Sequence, residues 1–127
     1  MFLKSADLGH SKVHLRNDGI VQVEFGDSIE LDLKEAVEIV ESIARLTEGK
    51  KAPILNIAGK STSATSAARE YSASPAGLRY TIADAYVVTN LAQKILGNFY
   101  ISFNRPPVST RIFDDEDKAV EWLKTFQ

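Results

Sequence analysis

Apolar residues in this chain recur first at every second position and then on a 3.6-residue period, and the two periods take turns from residue 12 onward. That alternation constrains the fold more than any single motif. A strand that is followed by a helix returns to its sheet by crossing one face, which leaves consecutive strands parallel. Lys12-Val13-His14-Leu15-Arg16 alternates polar and apolar residues, Asn17-Asp18-Gly19 supplies a turn, and Val21, Val23 and Phe25 resume the alternation. An antiparallel hairpin therefore opens the pattern. Leu33, Ala36, Val37, Val40, Ile43 and Ala44 then mark one stripe of a helix over 33–47. Asp32 is placed to cap it, Glu35 to close a capping box, and Gly49 to stop it.

The remaining segments continue the alternation. Residues 53–58 read as a strand covered on both faces. Residues 61–74 are rich in Ser, Thr and Ala and read as a short helix, capped by Ser61, Thr62 or Ser63 and broken by Pro75-Ala76-Gly77. Residues 82–88 supply another buried strand. Asn90 opens a third helix whose Leu91, Ala92, Ile95, Leu96 and Phe99 are expected to face the core, with Phe103 on the same inward stripe. Arg111-Ile112-Phe113 is a brief strand, and a last helix starts at Asp114 with Ala119, Val120, Leu123 and Phe126 inside. The expected class is α/β: a mixed, mostly parallel sheet of about five strands with about four helices, in the order ββαβαβαβα. The first ten residues carry no pattern and are expected to be loosely held.

The 127 residues suit one domain over 1–127, long enough to bury a core without staples. The chain has no cysteine, which removes disulfides and thiolate chemistry and suits a reducing compartment. A net charge of −2 and scattered Lys and Arg give no basic stripe for nucleic acid. No run approaches the ~20 apolar residues of a membrane span. The start, Met1-Phe2-Leu3-Lys4-Ser5-Ala6-Asp7, lacks the apolar core of a secretory signal, so the cytoplasm is the expected location.

The element order, the run Ile82-Ala83-Asp84-Ala85-Tyr86-Val87-Val88 and the ending Phe113-Asp114-Asp115-Glu116-Asp117-Lys118-Ala119-Val120-Glu121-Trp122-Leu123 resemble the SpoIIAA-like superfamily, the fold of STAS domains and anti-sigma-factor antagonists. The chain is also similar to small bacterial proteins of unassigned function grouped with STAS-like or CRAL-TRIO-like domains. The resemblance implies a protein-interaction or regulatory module without a cofactor, working on another protein or as a homodimer. Its CRAL-TRIO side implies a carrier of a small apolar or lipid-like ligand, which requires an apolar cavity of roughly 300 Å³ or more. In the antagonists a phosphorylated Ser follows an Asp after the third strand. The matching stretch here, Asn56-Ile57-Ala58-Gly59-Lys60-Ser61-Thr62-Ser63, holds hydroxyls but no Asp-Ser pair, so no phosphosite carries over.

Candidate chemistry is sparse. Gly59-Lys60-Ser61-Thr62 resembles the tail of a P-loop, but Ile54 stands where the first glycine belongs. Lys60, Ser61, Thr62, Ser63 and Arg69 remain a candidate partner or anion surface. Tyr100, Ile101 and Phe103 are a candidate self-association or apolar-ligand face. His10 and His14 lie in loop and strand and suggest no metal site, with His14 expected at a solvated strand position. Glu35, Glu38, Glu41 and the acidic run 114–117 read as solvated or capping charges. No catalytic set is marked; a small enzyme acting through Ser, His14 or a carboxylate is the third functional class to test, after the interaction module and the ligand carrier.

Overall fold

The computed structural model describes all residues, 1–127. Six strands form the main sheet: β1 (Phe2–Asp7), β2 (Ser11–Arg16), β3 (Val21–Phe25), β5 (Ala52–Ile57), β7 (Thr81–Val87) and β8 (Ser109–Phe113), side by side in that order. Two short strands, β4 (Glu30–Leu31) and β6 (Ser63–Ala64), pair parallel in a separate sheet. The helices are α1 (Leu33–Thr47), α2 (Ser66–Ser72), α3 (Leu91–Phe99), which runs on into a π-helical turn over Tyr100–Asn104, and α4 (Glu116–Lys124). β1, β2 and β3 are antiparallel neighbours, while β3, β5, β7 and β8 are parallel.

The expected α/β class and mostly parallel sheet are present, with more strands than the expected five. The opening residues account for part of the excess. Instead of hanging loose, Phe2–Asp7 pair antiparallel with β2 as the edge of the sheet, with a register shift between Phe2 and Lys4. Their exposure hides them from a hydrophobic-pattern reading, because an edge strand need not alternate.

The sheet is covered on both faces. Val13, Val21, Val23 and Ile54 pack on Ile39, Ile43 and Leu46 of α1. The next residue, Leu55, points the other way and joins Ala83, Ala85 and Val87 beneath Ala119 and Leu123 of α4. α1 starts where the sequence places it: Asp32 accepts from the Leu33 amide at 2.8 Å and Glu35 accepts from the Asp32 amide at 2.8 Å. α4 is capped by Asp115, one residue beyond the expected start.

Two helices depart from expectation. α2 is capped by Thr65, not by Ser61, Thr62 or Ser63, because those three residues form the loop and strand that lead into it. Ser61 is held at φ 56, outside helical geometry. α3 begins at Asn90 as expected, but it lies with the opposite face inward. Gln93 and Tyr100 are buried, while Leu91 is 72 % exposed, Ile95 59 % and Phe103 68 %. The inner face is set by close approach and polar bonding. A Cβ on Gly97 would stand 2.7 Å from Ile112 Cδ1 of β8, so any larger residue there forces the Ile112 side chain or α3 to shift. Gln93 donates to the Gly59 carbonyl at 2.7 Å and accepts from Thr89.

Candidate functional site

α2 does not lie on the sheet. It bridges α1 and the π-helical turn, and a half-open cleft of about 210 Å³ remains beneath it. Small residues create the space: Ala68 and Ser72 of α2 and Ala36 of α1 line the cleft where larger side chains would fill it. The Ser-, Thr- and Ala-rich composition of 61–74 thus has a physical consequence, a roof too thin to close the layer below. The volume is less than a lipid carrier requires and suits a molecule of roughly ten non-hydrogen atoms.

The floor of this apolar cleft is polar at one point. Asp84 of β7 is 5 % exposed, and its Oδ1 accepts from Asn56 Nδ2 of β5 at 3.1 Å. The other Asn56 Nδ2 hydrogen goes to the Ala85 carbonyl at 3.2 Å. No basic side chain forms a salt bridge with Asp84. Burial therefore pushes its carboxyl up to about 7, with the Asn56 hydrogen bond opposing part of the rise. Tyr86, two residues along the strand, and Tyr100 from the π-helical turn line the same cleft, with ring centroids 5.9 Å apart in an edge-on pair. Burial, and then the Asp84 charge, raises both phenols above the ordinary tyrosine value. Tyr100 is 7 % exposed, and its buried hydroxyl lies within reach of the Tyr86 phenol without reaching good hydrogen-bond geometry to any partner.

The residues singled out from sequence are dispersed. Arg69 lines the cleft, donates to the Ala64 carbonyl and places its guanidinium 5.8 Å from the Phe99 ring centroid. Thr62 turns its hydroxyl to the Gly26 carbonyl and accepts from the Gly59 amide, and the Asp27 carboxylate takes the Lys60 amide. The Gly59 and Lys60 amides of this P-loop-like turn are thus already bonded within the chain. Lys60 and Ser61 are exposed, and Ser63 lies in β6. Tyr100, Ile101 and Phe103 do not share a face: Tyr100 points into the cleft, Phe103 outward with Phe99, and Ile101 is half-buried. Asp84 and Asn56 were not marked by sequence reasoning, although a charged residue within Ile82-Ala83-Asp84-Ala85 was the available signal.

His14 is not solvated. It is buried beneath the stacked Phe2 ring, 3.9 Å between centroids, with Nδ1 2.6 Å from Ser5 Oγ and Nε2 3.1 Å from Glu24 Oε2. Gln22 donates to the same Glu24 oxygen, and Arg16 continues the network to Asp18. These bonds run across β1, β2 and β3 and clamp the edge strand to the sheet. His10 instead faces Glu38 of α1 at 3.6 Å, and no three His, Asp or Glu side chains gather as metal ligands.

The remaining surface feature is an apolar row on α3. Leu91, Ile95, Phe99 and Phe103 follow one another at four-residue intervals, all exposed, with Leu96 beside them and the Phe99 and Phe103 rings stacked at 5.0 Å.

A mixed sheet opened by antiparallel strands and covered by α1 and α4 on opposite faces is the SpoIIAA-like fold. A crystal structure of an uncharacterised DUF3478-family protein with a SpoIIAA-like fold, from Shewanella loihica PV-4, superimposes with a TM-score of 0.59 at 15 % identity, over 94 % of this chain and 93 % of that one. A protein of unknown function from Arthrobacter sp. FB24 gives 0.32 at 20 % identity, over 89 % and 92 %. The chain belongs to the DUF7793 family, a domain of unknown function, whose sequence profile matches residues 13–127. No curated protein matches it.

Proposed function

We propose that this protein is a non-enzymatic, STAS-like interaction module that acts as a homodimer through the apolar row of α3. The observation that carries this reading is the exposure of Leu91, Ile95, Phe99 and Phe103 on one helical ridge. A helix of a small domain ordinarily turns such a row inward, and a contiguous exposed one marks an interface. A second copy suits it for two reasons. A ridge of residues spaced by four fits the groove beside the same ridge on an identical helix, at a crossing angle of about −50°. The five exposed apolar side chains present on the order of 600 Å² per chain, or about 1,200 Å² for a pair, the lower bound of a specific interface.

Light scattering after size exclusion tests it. The wild-type protein at about 100 μM is expected to run as a dimer, and Ile95→Glu with Phe103→Glu as a folded monomer, since a buried charge pair of like sign opposes association. A monomeric wild type, or a doubly substituted protein that remains dimeric, overturns the reading. The regulatory role and cytoplasmic setting of the leading sequence reading are consistent with such a module. Membrane spanning by a helix is not, since no helix is long and apolar enough.

A further inference from the structure

We propose that the cleft beneath α2 binds a small apolar amine, whose ammonium group sits against Asp84, Asn56 and Tyr100 while its hydrocarbon body lies among the apolar side chains of α1 and α2. Asn56 spends both amide hydrogens on Asp84 and the Ala85 carbonyl, which leaves its own oxygen without a bonded donor. Asp84 brings a second carboxylate oxygen that no side chain of the protein serves, and Tyr100 brings a buried hydroxyl whose only side-chain neighbour for hydrogen bonding is the Tyr86 phenol, in poor geometry. All three residues are more than nine-tenths buried and line the same cavity. The polar floor therefore offers two acceptor-only oxygens, from Asn56 and ionised Asp84, beside a phenol that can also accept, and an ammonium group, with three N–H donors and a charge opposite to that of Asp84, complements it.

The surroundings agree. The Tyr86 and Tyr100 rings flank the acid, and aromatic faces attract organic cations. The rest of the lining is mainly aliphatic, so the occupant needs an apolar body, and about 210 Å³ limits its size. Arg69, the one basic side chain on the cleft lining, is already engaged with the Ala64 carbonyl and the Phe99 ring and makes no salt bridge with Asp84. The site meets the outward row of α3 only at its edge, through Leu96 and the Arg69–Phe99 contact, and uses none of Leu91, Ile95 or Phe103.

Titration of the full-length protein with 2-phenylethylamine and isoamylamine, followed by amide chemical-shift changes, tests the assignment. The neutral 2-phenylethanol and the anionic phenylacetate serve as matched probes. Saturable shifts at Asp84, Tyr86 and Tyr100 are expected for the amines. With the carboxyl titrating near 7, amine affinity should be about tenfold tighter at pH 8 than at pH 6, because only the ionised fraction binds. Asp84→Asn, an isosteric change, should weaken the amine at least tenfold with the fold intact by circular dichroism. Tyr100→Phe should weaken it severalfold. Equal affinity for amine and alcohol, amine binding unchanged in Asp84→Asn, or no saturation by either amine at about 10 mM overturns the proposal.

Discussion

Replacing Asp84 by Asn should stabilise the protein in a pH-dependent way, and the structure sets the size of the effect. The side chain is buried, with one hydrogen bond from Asn56 and no cation, so its carboxyl rises from the usual 3.8 to about 7. In the unfolded chain the same group titrates near 4. Between about pH 4 and 7 the folded protein retains a proton that the unfolded chain has released, so stability falls as pH rises and the loss is complete above 7. The gap corresponds to about 4 kcal/mol. Asn keeps the shape and still accepts from Asn56, but it has no charge to bury. Asp84→Asn is therefore expected to be more stable than wild type by up to about 4 kcal/mol at pH 9, and to differ by less than about 1 kcal/mol at pH 4. The groups that face Asp84 are Asn56, Tyr86 and Tyr100, with Arg69 on the same cleft. Both phenols are held above their usual range and remain neutral at pH 9, so the difference between the two proteins isolates one carboxyl. Urea unfolding of both, at matched concentration and at several pH values, reads it. A stability difference that is the same at pH 4 and pH 9 refutes the reasoning.

Two further predictions probe the layers around the cleft. Leu123 of α4 is fully buried against the sheet face opposite the cleft, so Leu123→Ala should cost about 2–5 kcal/mol in urea unfolding and leave amine binding unchanged. Gly97→Val should cost about 1–3 kcal/mol by driving α3 off Ile112, and adding Ile112→Ala should recover part of that loss in a double-mutant cycle.

What the sequence disclosed followed from strength of pattern. α1 carries a stripe, a capping box and a glycine stop that all agree, and its observed limits coincide with the expected ones. The β2–β3 hairpin and the parallel order of β5, β7 and β8 were legible for the same reason. β1 was not, because an exposed edge strand needs no alternation, and its anchorage through Phe2, Ser5 and His14 links residues nine or more apart. The apolar stripe of α3 predicts the wrong inner face. Periodicity locates an apolar face but does not say what covers it, and here the inner face is decided by Gly97 and Gln93, whose roles depend on Ile112 and Gly59 far along the chain. The cleft followed the same logic: small residues in 61–74 were visible, whereas the space they leave, and the acid exposed to it, arise only when α2 bridges α1 and α3.

Asp32 ends one story and begins another. The carboxylate that caps α1 also accepts the Thr65 hydroxyl at 2.8 Å, and Thr65 in turn accepts from the Ala68 amide at 3.2 Å to cap α2. Two helix starts are thereby tied through one oxygen, next to the β4–β6 pair. The roof is consequently hung from α1 by directional bonds and is only lightly supported by what lies underneath. Substitutions at Ala68 or Ser72 of α2 would therefore redraw the chamber without touching the sheet or its two cores.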